Sequence, residues 1–189
     1  MNSMLLRFQR TLGSGSSWVL GVLMAMSIGP MAAGDARGQE PASAPVTLET
    51  LRSMGPAEIE AVYRAGTPAA IPAGRVRGTA LLSPGTRRAR MLSRGARLVW
   101  QGKVIAPDQS TAVNRFFGVK MIRGRLYQAP SWLDGAPALI LDYAGTSRIY
   151  GRNRDEIRQV GPGLFLGLMY DRTAEPPRLS MYFALEAID

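Results

Sequence analysis

The chain contains no cysteine and no histidine. Without cysteine there is no disulfide, no thiolate nucleophile, no zinc-cysteine or iron-sulfur site, and no cysteine to carry a lipid. Without histidine there is no imidazole base, no Ser-His-Asp triad, no histidine-bound zinc and no haem on a proximal histidine. Most hydrolase machinery is thereby excluded, and no cofactor or metal is expected. Lysine is scarce too. Only Lys103 and Lys120 occur, so the net charge of +9 is carried by arginine. Charge of this kind bears on solubility and association rather than on fold, and it is as consistent with a genome that spells basic residues as arginine as with an anionic partner.

What is present suffices for one core. A length of 189 residues with 46% hydrophobic content supports one domain, and the absence of disulfides means that burial alone must hold it together. The N-terminus reads as an export signal spanning residues 1–38. Arg7 and Arg10 are positive, Trp18 to Ile28 is apolar, and Pro30, Ala32, Ala33 and Gly34 form a small-residue exit. The apolar run falls short of the roughly 20 residues a spanning helix needs, and Gly29 and Pro30 break it. Residues 39–46, rich in Pro, Ser and Ala, read as a flexible linker, leaving 47–189 as the folded domain of a periplasmic or extracellular protein.

Within that domain, Thr47 is placed to cap a helix through Leu48, Leu51 and Met54. A second helix carries Ile59, Val62 and Tyr63 until Gly66. This pair is expected to lie as a lid or clasp across one end of a sheet. From Arg75 the period changes to two, with Val76, Gly78, Ala80 and Leu82 on one face. Residues 86–99 return to helical spacing, with Ala89, Leu92, Ala96 and Val99 opposite Arg87, Arg90, Arg94 and Arg97. That basic face suits either solvent or weak contact with an anionic membrane. It lacks the interleaved aromatics of a nucleic-acid surface, so no nucleic-acid partner is expected.

The rest of the chain reads as consecutive strands: 98–105, 112–117, 119–127, 138–143, 155–160, 164–170 and 179–186, with a hairpin turn at Asp134-Gly135 and another at Gly161-Pro162-Gly163. Segments 138–141 and 164–169 are apolar on both faces, which a one-layer open sheet would not tolerate. The fold class expected is therefore mainly β: a closed or nearly closed antiparallel meander barrel of about seven or eight strands, with N-terminal helices and one inserted amphipathic helix. Gly78, Gly102, Gly124 and Gly167 lie inside these strands, where bends or close backbone approaches are needed.

Trp100 to Lys103 (WQGK), Asn114-Arg115-Phe116, Asp142-Tyr143, Asp155 to Arg158 (DEIR) and Gly167 to Met169 (GLM) give residues 100–186 a resemblance to small lipocalin-like domains of the GXWXG type. The GXWXG signature itself is missing, since the first strand reads Gly74-Arg75-Val76-Arg77-Gly78. The resemblance implies a barrel with an apolar ligand and carries over no catalytic residue.

Lys103, Asn114, Arg115, Asp142, Tyr143 and Arg158 are polar groups in otherwise apolar strands, and burying them unpaired would be costly. Clustered at a barrel mouth they would orient a ligand, with Trp100 beside them and Arg115, Arg158 and Tyr143 at the polar end. Otherwise they satisfy one another in the core or face outward. The leading expectation is a non-catalytic barrel for a small, mainly apolar ligand whose charge, where it has one, is negative. One alternative is a structural or membrane-surface interaction protein. A second is a lyase or isomerase with Asp142 or Asp155 as acid or base, Tyr143 as acid and an arginine for charge.

Overall fold

The computed structural model describes residues 45–82, 84, 86, 95 and 99–188. The expected export signal, all but the last residues of the linker, and Arg87, Arg90, Arg94 and Arg97 lie outside the described residues.

Two short helices lead. Helix α1, Leu48–Ser53, starts at Thr47, whose hydroxyl accepts the Thr50 amide while the Thr50 hydroxyl accepts the Thr47 amide. Two N–H groups that would otherwise lack partners are thus satisfied. Helix α2, Pro56–Ala65, begins with a proline that needs no donor there, and Glu58 reaches back to the Gly55 amide at 2.7 Å. Among the described residues no helix is long and apolar enough to cross a membrane.

Eight strands follow: β1 Gly74–Leu81, β2 Trp100–Ile105, β3 Thr111–Phe116, β4 Val119–Pro130, β5 Pro137–Asp142, β6 Asn153–Gly161, β7 Leu164–Asp171 and β8 Arg178–Ala187. Each pairs antiparallel with the next, and β1 pairs with β8 from Val76↔Ala187 to Leu81↔Tyr182, closing the barrel. Closure satisfies every strand edge.

The apolar runs on both faces of β7 are explained by two cores. Phe165 and Met169 point inward with Ile157, Phe183 and Leu185. Leu164, Leu166, Leu168 and Tyr170 point outward, where they meet Leu51, Ile59 and Tyr63 of the helices. The helix pair therefore covers the outer wall of β7 and β8 rather than an end of the barrel. This departs from the expected lid. The outward strip of β7 would otherwise expose large side chains to water, and burying each is favourable by roughly 1.5–3 kcal/mol.

One end of the barrel is filled. Val76, Ile105, Ala112, Leu139, Leu185 and their neighbours pack there, and Ile71, fully buried on the segment between α2 and β1, stops it. Gln109 holds that segment by donating to the Ile71 carbonyl at 3.0 Å, and Thr67 forms a bridge with Gln159. At the opposite end lie the β3–β4 turn, the β5–β6 connection and the facing ends of β1 and β2, and among the described residues this end stays open.

Candidate functional site

Strand alternation alone could not place Trp100 and Lys103 on the same face, because they are three residues apart. A bulge between Trp100 and Gly102 inserts the extra residue, and Gly102 takes a positive φ of 114° there. A Cβ on Gly102 would sit 2.2 Å from the Val76 carbonyl oxygen. A second bulge, opposite Val113 and Asn114, turns Ile122 out of the ladder so that its carbonyl accepts from Asn114 Nδ2 at 3.4 Å. Both irregularities lie beside the same interior cluster.

That cluster is Lys103, Asn114, Tyr143 and Asp155, all within a few per cent of full burial. Lys103 Nζ donates to Asn114 Oδ1 at 2.8 Å, Asp155 Oδ2 at 2.9 Å and Tyr143 Oη at 3.0 Å. Tyr143 in turn donates to Asp155 Oδ2 at 2.7 Å and accepts from Asn114 Nδ2 at 2.8 Å. Trp100 Nε1 donates to Asn114 Oδ1 at 3.0 Å. Trp100 and Lys103 have only donors to offer, so the Asn114 amide orientation is fixed by chemistry. The Lys103 ammonium also lies 5.1 to 5.8 Å from the ring centroids of Phe183, Trp100 and Tyr143. Burial pushes the Lys103 ammonium below its ordinary value, with Asp155 opposing the shift. Burial, reinforced by the Asp155 charge, holds the Tyr143 phenol well above its own.

Above the cluster is a cavity of about 360 Å³ that reaches the open end. Its walls are Ala80, Leu82, Phe116, Met169, Met181 and Phe183, with Val99 and Tyr150 at the rim. Phe183 lays its ring over Gly167, its partner on the neighbouring strand β7, where an added Cβ would overlap the ring, and it meets Trp100 edge to face at 5.6 Å. One carboxylate oxygen of the cluster, Asp155 Oδ1, is buried and has no hydrogen-bond partner.

Four of the seven expected ligand residues thus converge: Trp100, Lys103, Asn114 and Tyr143. Three do not. Arg115 lies between inward Asn114 and Phe116, so it points outward and donates to the Gly118 carbonyl at 3.2 Å. Asp142 lies between inward Leu141 and Tyr143 and accepts from Tyr127 at 2.9 Å, with Arg172 as its ion-pair partner. Arg158, next to inward Ile157, packs outside against the Tyr63 ring and pairs with Asp134. The cluster's carboxylate is Asp155, and its cation is a lysine rather than an arginine. Tyr150, Met181 and Phe183 were not singled out from the sequence, and Phe116 and Met169 entered only as motif residues of the resemblance; a closed barrel's inward parity, counted from Asp155 and Tyr143, is the signal that finds most of them.

No protein-family model and no curated protein matches the chain. Among solved structures, it is similar to a crystal structure of a protein from Thermomonospora curvata, at 20% identity and a TM-score of 0.48, with 72% of this chain and 90% of that chain covered.

Proposed function

We propose that this protein is an exported, non-catalytic carrier that holds one small, mainly apolar molecule inside the barrel. The observation that carries the reading is the cavity of about 360 Å³, walled by aromatic and aliphatic side chains and ending on one compact polar cluster. Ligand sites commonly occupy some 300–1,000 Å³ with mostly apolar walls and few polar groups, and barrels of eight strands have room for one small ligand. The sequence resemblance to lipocalin-like domains of the GXWXG type points the same way.

Native mass spectrometry of the mature protein from its own host tests the proposal. A stoichiometric small molecule released on denaturation is the expected result. A bare polypeptide mass, combined with failure of apolar probes to bind, would overturn it.

A second reading is favoured by one contact. Tyr143 and Asp155 are hydrogen-bonded at 2.7 Å and Asp155 keeps one oxygen free, the parts of a proton-transfer site. Incubating the released ligand with the protein in heavy water separates the two. Deuterium entering a carbon of the ligand would replace the carrier reading with an isomerase or lyase.

A further inference from the structure

We infer that the ligand carries a neutral hydroxyl at its buried end and that this group donates to Oδ1 of Asp155. The inference rests on the carrier reading above and specifies its ligand class. The three protons of Lys103 go to Asn114, Tyr143 and Asp155. Asn114 Oδ1 accepts two bonds, from Trp100 and Lys103, and the Tyr143 oxygen accepts two and donates one. What remains is a single buried acceptor, Asp155 Oδ1.

At the buried cluster an anionic ligand would find no donor to spare, and Arg115 and Arg158, which would have neutralised it, lie outside the cavity. An ammonium ligand would set a second cation beside Lys103, already 2.9 Å from the same carboxylate. A hydroxyl meets the free lone pairs without adding charge to a dry site.

Calorimetry on the full chain with medium-chain alkanols, their methyl ethers and the matching carboxylates tests this. Alkanols should bind about tenfold or more above the ethers, the size of one hydrogen bond to a charged group, and carboxylates weakest. Ethers or carboxylates binding as well as alkanols would overturn the hydroxyl inference and leave the carrier reading standing. No binding by any of the three would overturn both. Asp155→Asn offers a second arm in variants that fold. Its oxygen must face Lys103 and Tyr143, which puts its NH2 group where Oδ1 stood, and since alcohol and ether oxygens both accept from it, the preference for alkanols should disappear.

At the rim, Ile149 and Phe117 are 74% and 70% exposed, and Val99 and Val119 are exposed beside them. These are neighbours: the Phe117 amide bonds the Val99 carbonyl at 2.9 Å, and Phe116 packs on Tyr150 at 6.1 Å. Lys120, Arg148, Arg152 and Arg178 are exposed at the same end, against Glu175. Apolar tips ringed by cations match an anionic bilayer better than any neutral surface. The geometry points to an anionic lipid surface as the partner on which the open end docks.

Vesicles of phosphatidylglycerol and of phosphatidylcholine, sedimented with the host-processed protein, test the docking. Phe117→Ser/Ile149→Ser should weaken binding to phosphatidylglycerol roughly tenfold, and salt should weaken it further. Equal binding by the variant, or equal binding to both lipids, would overturn the proposal. So would self-association that the same variant abolishes, which would assign the patch to a second copy.

Discussion

Arg158 and Asp134 meet through two parallel N–H···O bonds of 2.7 and 2.8 Å, across the outer wall of the barrel. The same guanidinium donates to the Pro137, Ala136 and Tyr63 carbonyls, so one side chain ties β6, the β4–β5 turn and α2 together. A residue that sequence reasoning placed at a ligand is instead a structural clamp.

Asp134→Asn should cost about 2 kcal/mol at neutral pH, because it leaves a buried guanidinium short of its ionic partner. Hydrogen bonds from Arg158 hold the Asp134 carboxyl below its ordinary value of 3.8. Its contribution is therefore complete above that value and lost as pH falls through the folded pKa. Burial raises Glu156 above 4.5, which gives the opposite slope: its contribution is complete below 4.5 and lost as pH rises through its folded pKa. It is present in both proteins and cancels. Urea unfolding of the pair should show curves that converge below pH 3.8; a constant gap would show that the ion pair is not the cause.

Lys103→Met should destabilise by about 3–5 kcal/mol, since it strands a buried carboxylate. Lys103→Met/Asp155→Leu should regain a large part of that. Denaturant midpoints of the two variants decide, and a double variant no better than the single would mean that packing, not charge, sets the cost.

Gly167→Ala should cost about 1–3 kcal/mol, because the methyl displaces the Phe183 ring that crosses it. Adding Phe183→Leu should recover stability and enlarge the cavity. Thermal unfolding and calorimetry with bulkier alkanols read the two effects separately.

Ile71→Ala should cost roughly 2–5 kcal/mol, as expected for a fully buried aliphatic side chain. Urea unfolding measures the loss, and an unchanged midpoint would show that the segment carrying Ile71 is not part of the core.

Most of the barrel was legible in the sequence because alternation survives where one face is wet. The period-two run read from Arg75 is observed as Gly74–Leu81, and the strand read at 119–127 as Val119–Pro130. Where both faces are buried the pattern loses direction. In β5 nothing local says that Tyr143 faces in and Asp142 out. In β2 only the bulge at Gly102 lets Trp100 and Lys103 share the interior. The helix pair was legible as two helices but not as an outer layer, because the surface it covers is visible only once β7 is seen to carry two apolar faces.

The Ile71 stopper also has a kinetic meaning. Under the carrier proposal, an interior stopped behind by Ile71 and sized for one molecule cannot be entered from that end while it is occupied. Unloading would then obey a first-order law whose rate is indifferent to how much replacement ligand waits outside.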